Sequence, residues 1–172
     1  MKERRTRTTS VRTLTTAAII AALYVILTGL SALFGLASGA IQVRLSEALT
    51  ILPCFTPAAV PGVTVGCFLA NLLTGAPLPD IVFGTLATFL GAFGARLLRK
   101  YWYFVPIPTI LSNAVIIPIV LRYAYHIPDS FLFLFLTVGA GEIISAGLLG
   151  SLLYHTLKRH GFSGNNQGQK ML

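Results

Sequence analysis

The chain has 172 residues, 55% hydrophobic and only 10% charged, with 13 Lys and Arg against five Asp and Glu. A mean hydropathy of +0.78 excludes an ordinary soluble domain, because a chain this apolar must bury most of its surface in lipid. Two cysteines without a His cluster supply neither a disulfide framework nor a metal site.

In chain order, a basic arm over residues 1–13 carries Lys2, Arg4, Arg5, Arg7 and Arg12. An apolar segment follows over 14–36. Basic start and apolar run together have the outline of a signal peptide, with Ser38-Gly39-Ala40 resembling a cleavage site. The run is too long for one, however, and five more apolar segments follow. The second, 45–55, is short; as an α-helix it would cover about 16 Å at 1.5 Å per residue, which leaves open whether it spans or re-enters. Segments of spanning length follow at 57–76, 80–98, 104–121 and 130–157. The tail over 159–172 is polar and Gly-containing and is expected to be disordered.

Charge decides between five spans and six. If the short segment crosses, 11 of the 13 basic residues fall on one side and only Arg44 and Arg122 on the other; if it does not, six of the 11 move across. The excess of Lys and Arg on cytoplasmic loops favours six. The expected fold is an all-α membrane protein, a compact bundle of six transmembrane helices over 14–158 with both termini cytoplasmic. The net charge of +8 is then mostly topology, and no nucleic-acid partner is needed to explain it.

Ionisable groups inside a membrane are costly and invite a functional reading. Arg44 and Glu47 stand three residues apart at the start of the short segment. They either pair and anchor a helix start or serve a site, and the pair alone does not decide. On the six-span topology Asn71 lies about 7 Å, Asn113 about 13 Å and Glu142 about 18 Å from the outer ends of their helices. Glu142 shares a helix face with Gly139, Ala146 and Gly150, so it points into the bundle. Asp80 starts a helix at the same outer side. Glu47, Asp80 and Glu142 would give an outward-facing pocket its acceptors, and Asn71 and Asn113 its amides. Such a pocket suits a small neutral or cationic ligand rich in hydrogen-bond donors. A structural role for Glu142, bonded to a neighbouring helix, is the competing reading.

Small residues at helical spacing let backbones approach closely. They recur as Ala17-x-x-x-Ala21 and Ala18-x-x-x-Ala22, as Gly62-x-x-x-Gly66-x-x-x-Ala70, and as Gly84-x-x-x-Thr88 with Gly91 and Ala95. The last two sets read as internal packing. The alanines of the first helix, beside the basic arm, form a flat face that can dock a partner. The chain has no phosphate-binding loop, H-E-x-x-H or G-x-S-x-G motif, so catalysis has no sequence support.

Several blocks resemble the QueT family of substrate-binding (S) components of energy-coupling factor transporters. They are Gln42-Val-Arg-Leu-Ser-Glu-Ala-Leu-Thr50, Thr56-Pro57-Ala58-Ala59-Val60-Pro61-Gly62, Gly66-Cys-Phe-Leu-Ala-Asn-Leu-Leu-Thr-Gly75 and Asp80-Ile-Val-Phe-Gly84, with Pro53 and the alanine motif. The resemblance runs over about 14–158. It implies six helices and capture from outside of a queuosine precursor, an aminomethyl-deazaguanine or a related base. It also implies a prokaryotic cytoplasmic membrane, a membrane scaffold (T) component and two cytoplasmic ATPase subunits that hydrolyse the ATP, with no cofactor on this chain. By the same resemblance Ala17 and Ala21, or Ala18 and Ala22 in the shifted register, meet the scaffold, and the loop over 38–46 closes on substrate. The alternative is a self-sufficient small secondary transporter or channel, which inverted repeats or discontinuous helices would favour; no repeat is visible. The charge-derived topology is directly testable: in Pro79→Cys the thiol should react with an impermeant reagent added outside, and in Tyr101→Cys only with reagent added inside. The reverse pattern would rule out the six-span arrangement.

Overall fold

The computed structural model describes residues 2–36 and 42–162, with side chains from Val11 onward. Ser38, Gly39 and Ala40, the first four residues of the expected closing loop and most of the polar tail therefore lie outside the described residues. Six helical segments are present, and no strand occurs among the described residues. We label them α1 (Lys2–Leu33), α2 (Leu45–Cys54), α3 (Ala59–Leu73), α4 (Asp80–Leu97), α5 (Ile107–Tyr123) and α6 (Phe131–Arg159). This is an all-α, multi-pass membrane architecture. The helices α1, α4, α5 and α6 lie in stretches long and apolar enough to cross a bilayer, while α2 and α3 are shorter.

The short second segment differs from its expected form. It is a ten-residue 3-10 helix, and at about 2.0 Å per residue it extends about 20 Å rather than the 15 Å of an α-helix of that length. Two local causes oppose the α pattern. Pro53, inside the helix, has no N–H to give the carbonyl four residues back. Thr50 donates its hydroxyl to the Glu47 carbonyl at 2.6 Å, offering that group a partner outside the α ladder.

Despite its length, α2 is the centre of the molecule. Ser46, Glu47, Ala48, Leu49, Thr50, Ile51, Pro53 and Cys54 are all buried. The other helices form an arc around it in the order α1, α3, α4, α5, α6, each packed chiefly on the next, and α2 touches α1, α3, α4 and α6. Leu49 joins Ile20 and Tyr24 of α1, Val63 and Cys67 of α3 and Ala92 of α4 in one cluster. Ile51 and Cys54 join Ala95 and Val105 in another.

The arc depends on missing side chains. A Cβ on Gly66 would lie 2.6 Å from Tyr24 Cβ and 3.0 Å from Ala21 Cα, and one on Gly62 would lie 2.9 Å from the Ala17 carbonyl oxygen. Gly91 stands equally close to Thr109, and Gly94 to Pro108, which brings α4 onto α5. The alanines of α1 are thereby divided. Ala21 is buried and Ala17 half-buried against α3, whereas Ala18 and Ala22 remain exposed.

Close packing without a hydrophobic driving force is what holds membrane helices together, so overfilling one contact should be felt. Gly66→Ala should lower the unfolding temperature of the detergent-solubilised protein, as overpacking costs about 1–3 kcal/mol. Gly29→Ala, where an added Cβ meets nothing within 4 Å, should leave it unchanged or raise it slightly. Equal behaviour of the two variants would contradict the α1–α3 contact.

Candidate substrate site

The polar face of α1 is built from Tyr24, Thr28 and Ser31, spaced four and three residues apart, all buried. That spacing puts them on one side of the helix, against α2 and the segment before it. The Tyr24 hydroxyl donates to Glu47 Oε1. Thr28 Oγ1 lies 2.9 Å from Ser46 Oγ and 2.9 Å from the Tyr24 carbonyl oxygen. Ser31 donates to the Leu27 carbonyl at 3.0 Å and accepts the Leu45 amide at 2.9 Å.

The opposite wall is α6. Its Ser145 hydroxyl accepts the Arg44 amide at 3.0 Å. A Cβ on Gly141 would overlap the Gln42 carbonyl oxygen, so the chain over 42–45 crosses α6 backbone to backbone. Since α1 and α6 make little direct contact, this extended stretch closes the gap between the two ends of the arc. Just beyond Glu142, α6 widens into a seven-residue π-helical stretch, Ile143–Leu149, a geometry that often marks functional sites.

Four of the six expected substrate residues meet here. Glu47 is 1% exposed, Glu142 7% and Asn113 4%. Arg44 acts electrostatically on both carboxylates, and Glu47 acts on Glu142. Asn113 of α5 faces Glu142, near enough to act on its carboxylate, yet the Nδ2 group completes no hydrogen bond. Glu47 Oε2 and Glu142 Oε2 likewise have no partner among the described residues. Buried polar atoms are normally satisfied, and an unmet one costs about 1–3 kcal/mol, more when charged. Three such atoms, from α2, α5 and α6, fall in one electrostatic neighbourhood, while Thr85 Oγ1 and Thr109 Oγ1 are unmet as well.

The other two expected residues form a separate structure. Asn71 donates Nδ2 to the Asp80 carbonyl at 3.2 Å and lies 3.6 Å from Cys67 Sγ. The Asp80 carboxylate accepts the Tyr125 hydroxyl at 2.8 Å. Desolvation and this bond hold Tyr125 in its protonated form, its pKa pushed up to about 12. Asn71, Asp80 and Tyr125 thus tie α3, α4 and the turn after α5 together. An apolar crevice of about 340 Å³ between α4 and α5, lined by Phe83, Leu86, Ile116, Ile119, Val120, Tyr123 and Ala124, has no polar surface to orient a polar ligand. Tyr24, Thr28, Ser46 and Ser145 were not singled out from the sequence. The i, i+4, i+7 polar stripe on α1 was the signal available for the first two.

Residues 14–159 match the family described as QueT transporter. The chain belongs to the QueT transporter family. One relative within it, described as queuosine precursor transporter QueT from Lactococcus lactis subsp. cremoris, is 40% identical over 75 residues. That alignment covers 44% of this chain and 44% of the relative, so the chain is matched to less than half of that protein's length. No solved structure matches. The QueT-family match takes in every side chain of the buried cluster, from Tyr24 to Ser145.

Proposed function

We propose that the chain is the substrate-binding component of an energy-coupling factor importer. It captures a queuosine precursor of the deazaguanine class at the outer face of a prokaryotic cytoplasmic membrane, with both termini inside. The observation that carries the reading is the set of half-buried Arg44 with buried Glu47, Asn113 and Glu142 and three unmet polar atoms, inside a QueT transporter family chain. A deazaguanine offers adjacent N–H donors for a carboxylate and a carbonyl for an amide. Its aminomethyl form adds a cation. Asn71 and Asp80 then support the outer rim instead of touching the base, since both are engaged by protein partners.

Transport on this reading requires a membrane scaffold and two ATPase subunits. The exposed register Ala18 and Ala22, flanked by exposed Leu14, Ile19, Leu23 and Ile26, is the docking face for the scaffold. Ala17 and Ala21 hold α1 to α3 and support that face from behind.

Two measurements test this. Glu142→Gln should weaken binding of an aminomethyl-deazaguanine about ten- to a hundredfold, the value of one or two charge-assisted hydrogen bonds. Asp129→Asn, at an exposed position, should leave it nearly unchanged. An unchanged dissociation constant for folded Glu142→Gln in calorimetric titration would refute the site. For docking, Ala18→Leu with Ala22→Leu should abolish uptake by cells while the isolated protein binds ligand normally. Ala17→Leu with Ala21→Leu should instead destabilise the isolated protein. Normal uptake by the first double variant would sink the docking assignment.

A further inference from the structure

The two carboxylates of the site are not equivalent. Glu47 Oε1 is already taken by the Tyr24 hydroxyl, which leaves only Oε2 without a partner. Glu142 likewise has one buried oxygen without a partner, so the number of free oxygens does not separate the two carboxylates; what flanks them does. Glu142 accepts no hydrogen bond from a described residue at Oε2, and the nearby Asn113 Nδ2 is an unspent donor. A carboxylate flanked by an amide N–H is the complement of a guanine-type edge, in which a ring N–H and an exocyclic amine lie next to a carbonyl.

The formal charges point the same way. Arg44, Glu47 and Glu142 lie in one electrostatic neighbourhood; if both carboxylates are ionised, they and the one guanidinium leave a single negative charge. A monocation neutralises it, whereas a neutral base does not. Buried charge is tolerated when it is paired and hydrogen-bonded, so the enclosure favours the cationic ligand.

Resting on the reading of the chain as a deazaguanine-binding component, we infer that Glu142 with Asn113 reads the guanine-like edge, while Glu47, held by Tyr24, receives the side-arm amine. Glu47 is then the specificity determinant that separates an aminomethyl base from an uncharged analogue with the same ring, and Tyr24 is its positioning residue. The Tyr24 bond fixes which Glu47 oxygen is free and where it points.

The experiment is a ligand-by-variant matrix in detergent-solubilised full-length protein, with 7-aminomethyl-7-deazaguanine and 7-cyano-7-deazaguanine as probes. Native protein should bind both, the aminomethyl form more tightly. Glu47→Gln should weaken the aminomethyl base about ten- to a hundredfold and leave the cyano base unchanged or slightly improved. Glu142→Gln should weaken both by similar factors. If Glu47→Gln does not fold, Glu47→Asp, which withdraws the carboxylate by one methylene, should show the same one-sided loss at smaller size. Equal loss of both ligands in the Glu47 variant, no loss of either, or a one-sided loss in Glu142→Gln would overturn the assignment. Failure of the native protein to bind either base would overturn the functional reading itself, a result distinct from those three.

Discussion

The contact between Tyr24 and Glu47 is the interaction around which the molecule is organised. Placing a carboxylate 1% exposed at the centre of a membrane bundle costs several kcal/mol after relaxation, even when it is partly compensated. The phenol supplies a hydrogen bond and Arg44 a nearby positive charge. To bring them together, α2 must pass through the middle of the bundle and α1 must lie flat on α3. The first follows from the 3-10 extension of Leu45–Cys54 and the second from Gly62 and Gly66. The packing of the apolar residues and the position of the charged ones are therefore one arrangement.

The sequence disclosed most of the fold because membrane spans are long and the asymmetry of Lys and Arg is strong. It also led to Arg44, Glu47, Asn113 and Glu142, which the structure brings together, because polar groups are so scarce in this chain that each one stands out. What could not be read was which polar groups already had partners. Asn71 and Asp80 looked as available as Asn113, and only the folded chain shows them occupied by each other and by Tyr125. Tyr24 was hidden because tyrosine in a membrane helix usually sits at the interface. The alanine motif was ambiguous for a geometric reason: registers one residue apart differ by about 100° on the helix, so one faces α3 and the other faces outward.

The burial of the cluster also bears on the proposed capture of a ligand. Glu47, Asn113 and Glu142 are nearly inaccessible, so on the proposed reading a ligand would enter only once whatever separates them from water had moved. The stretch over 42–45 is tied to α1 through Ser31 and to α6 through Ser145 by two hydrogen bonds to its own backbone amides. It is continuous with the helix that carries Glu47. Displacing it shifts a positive and a negative side chain together, while Glu142 and Asn113 stay on α6 and α5.

That stretch seals the bundle with peptide backbone. At the crossing, the carbonyl of Gln42 rests on the bare α-carbon of Gly141, and the two amide anchors belong to Arg44 and Leu45 whatever their side chains are. The contacts that make the seal are therefore independent of the Gln42 and Val43 side chains, since they run through backbone atoms. Position 141 has no such latitude, because the smallest side chain beyond hydrogen would lift the stretch off α6. Tolerance to substitution along the two partners of this crossing is thus lopsided, with the irreplaceable residue on the helix and the replaceable ones on the strap.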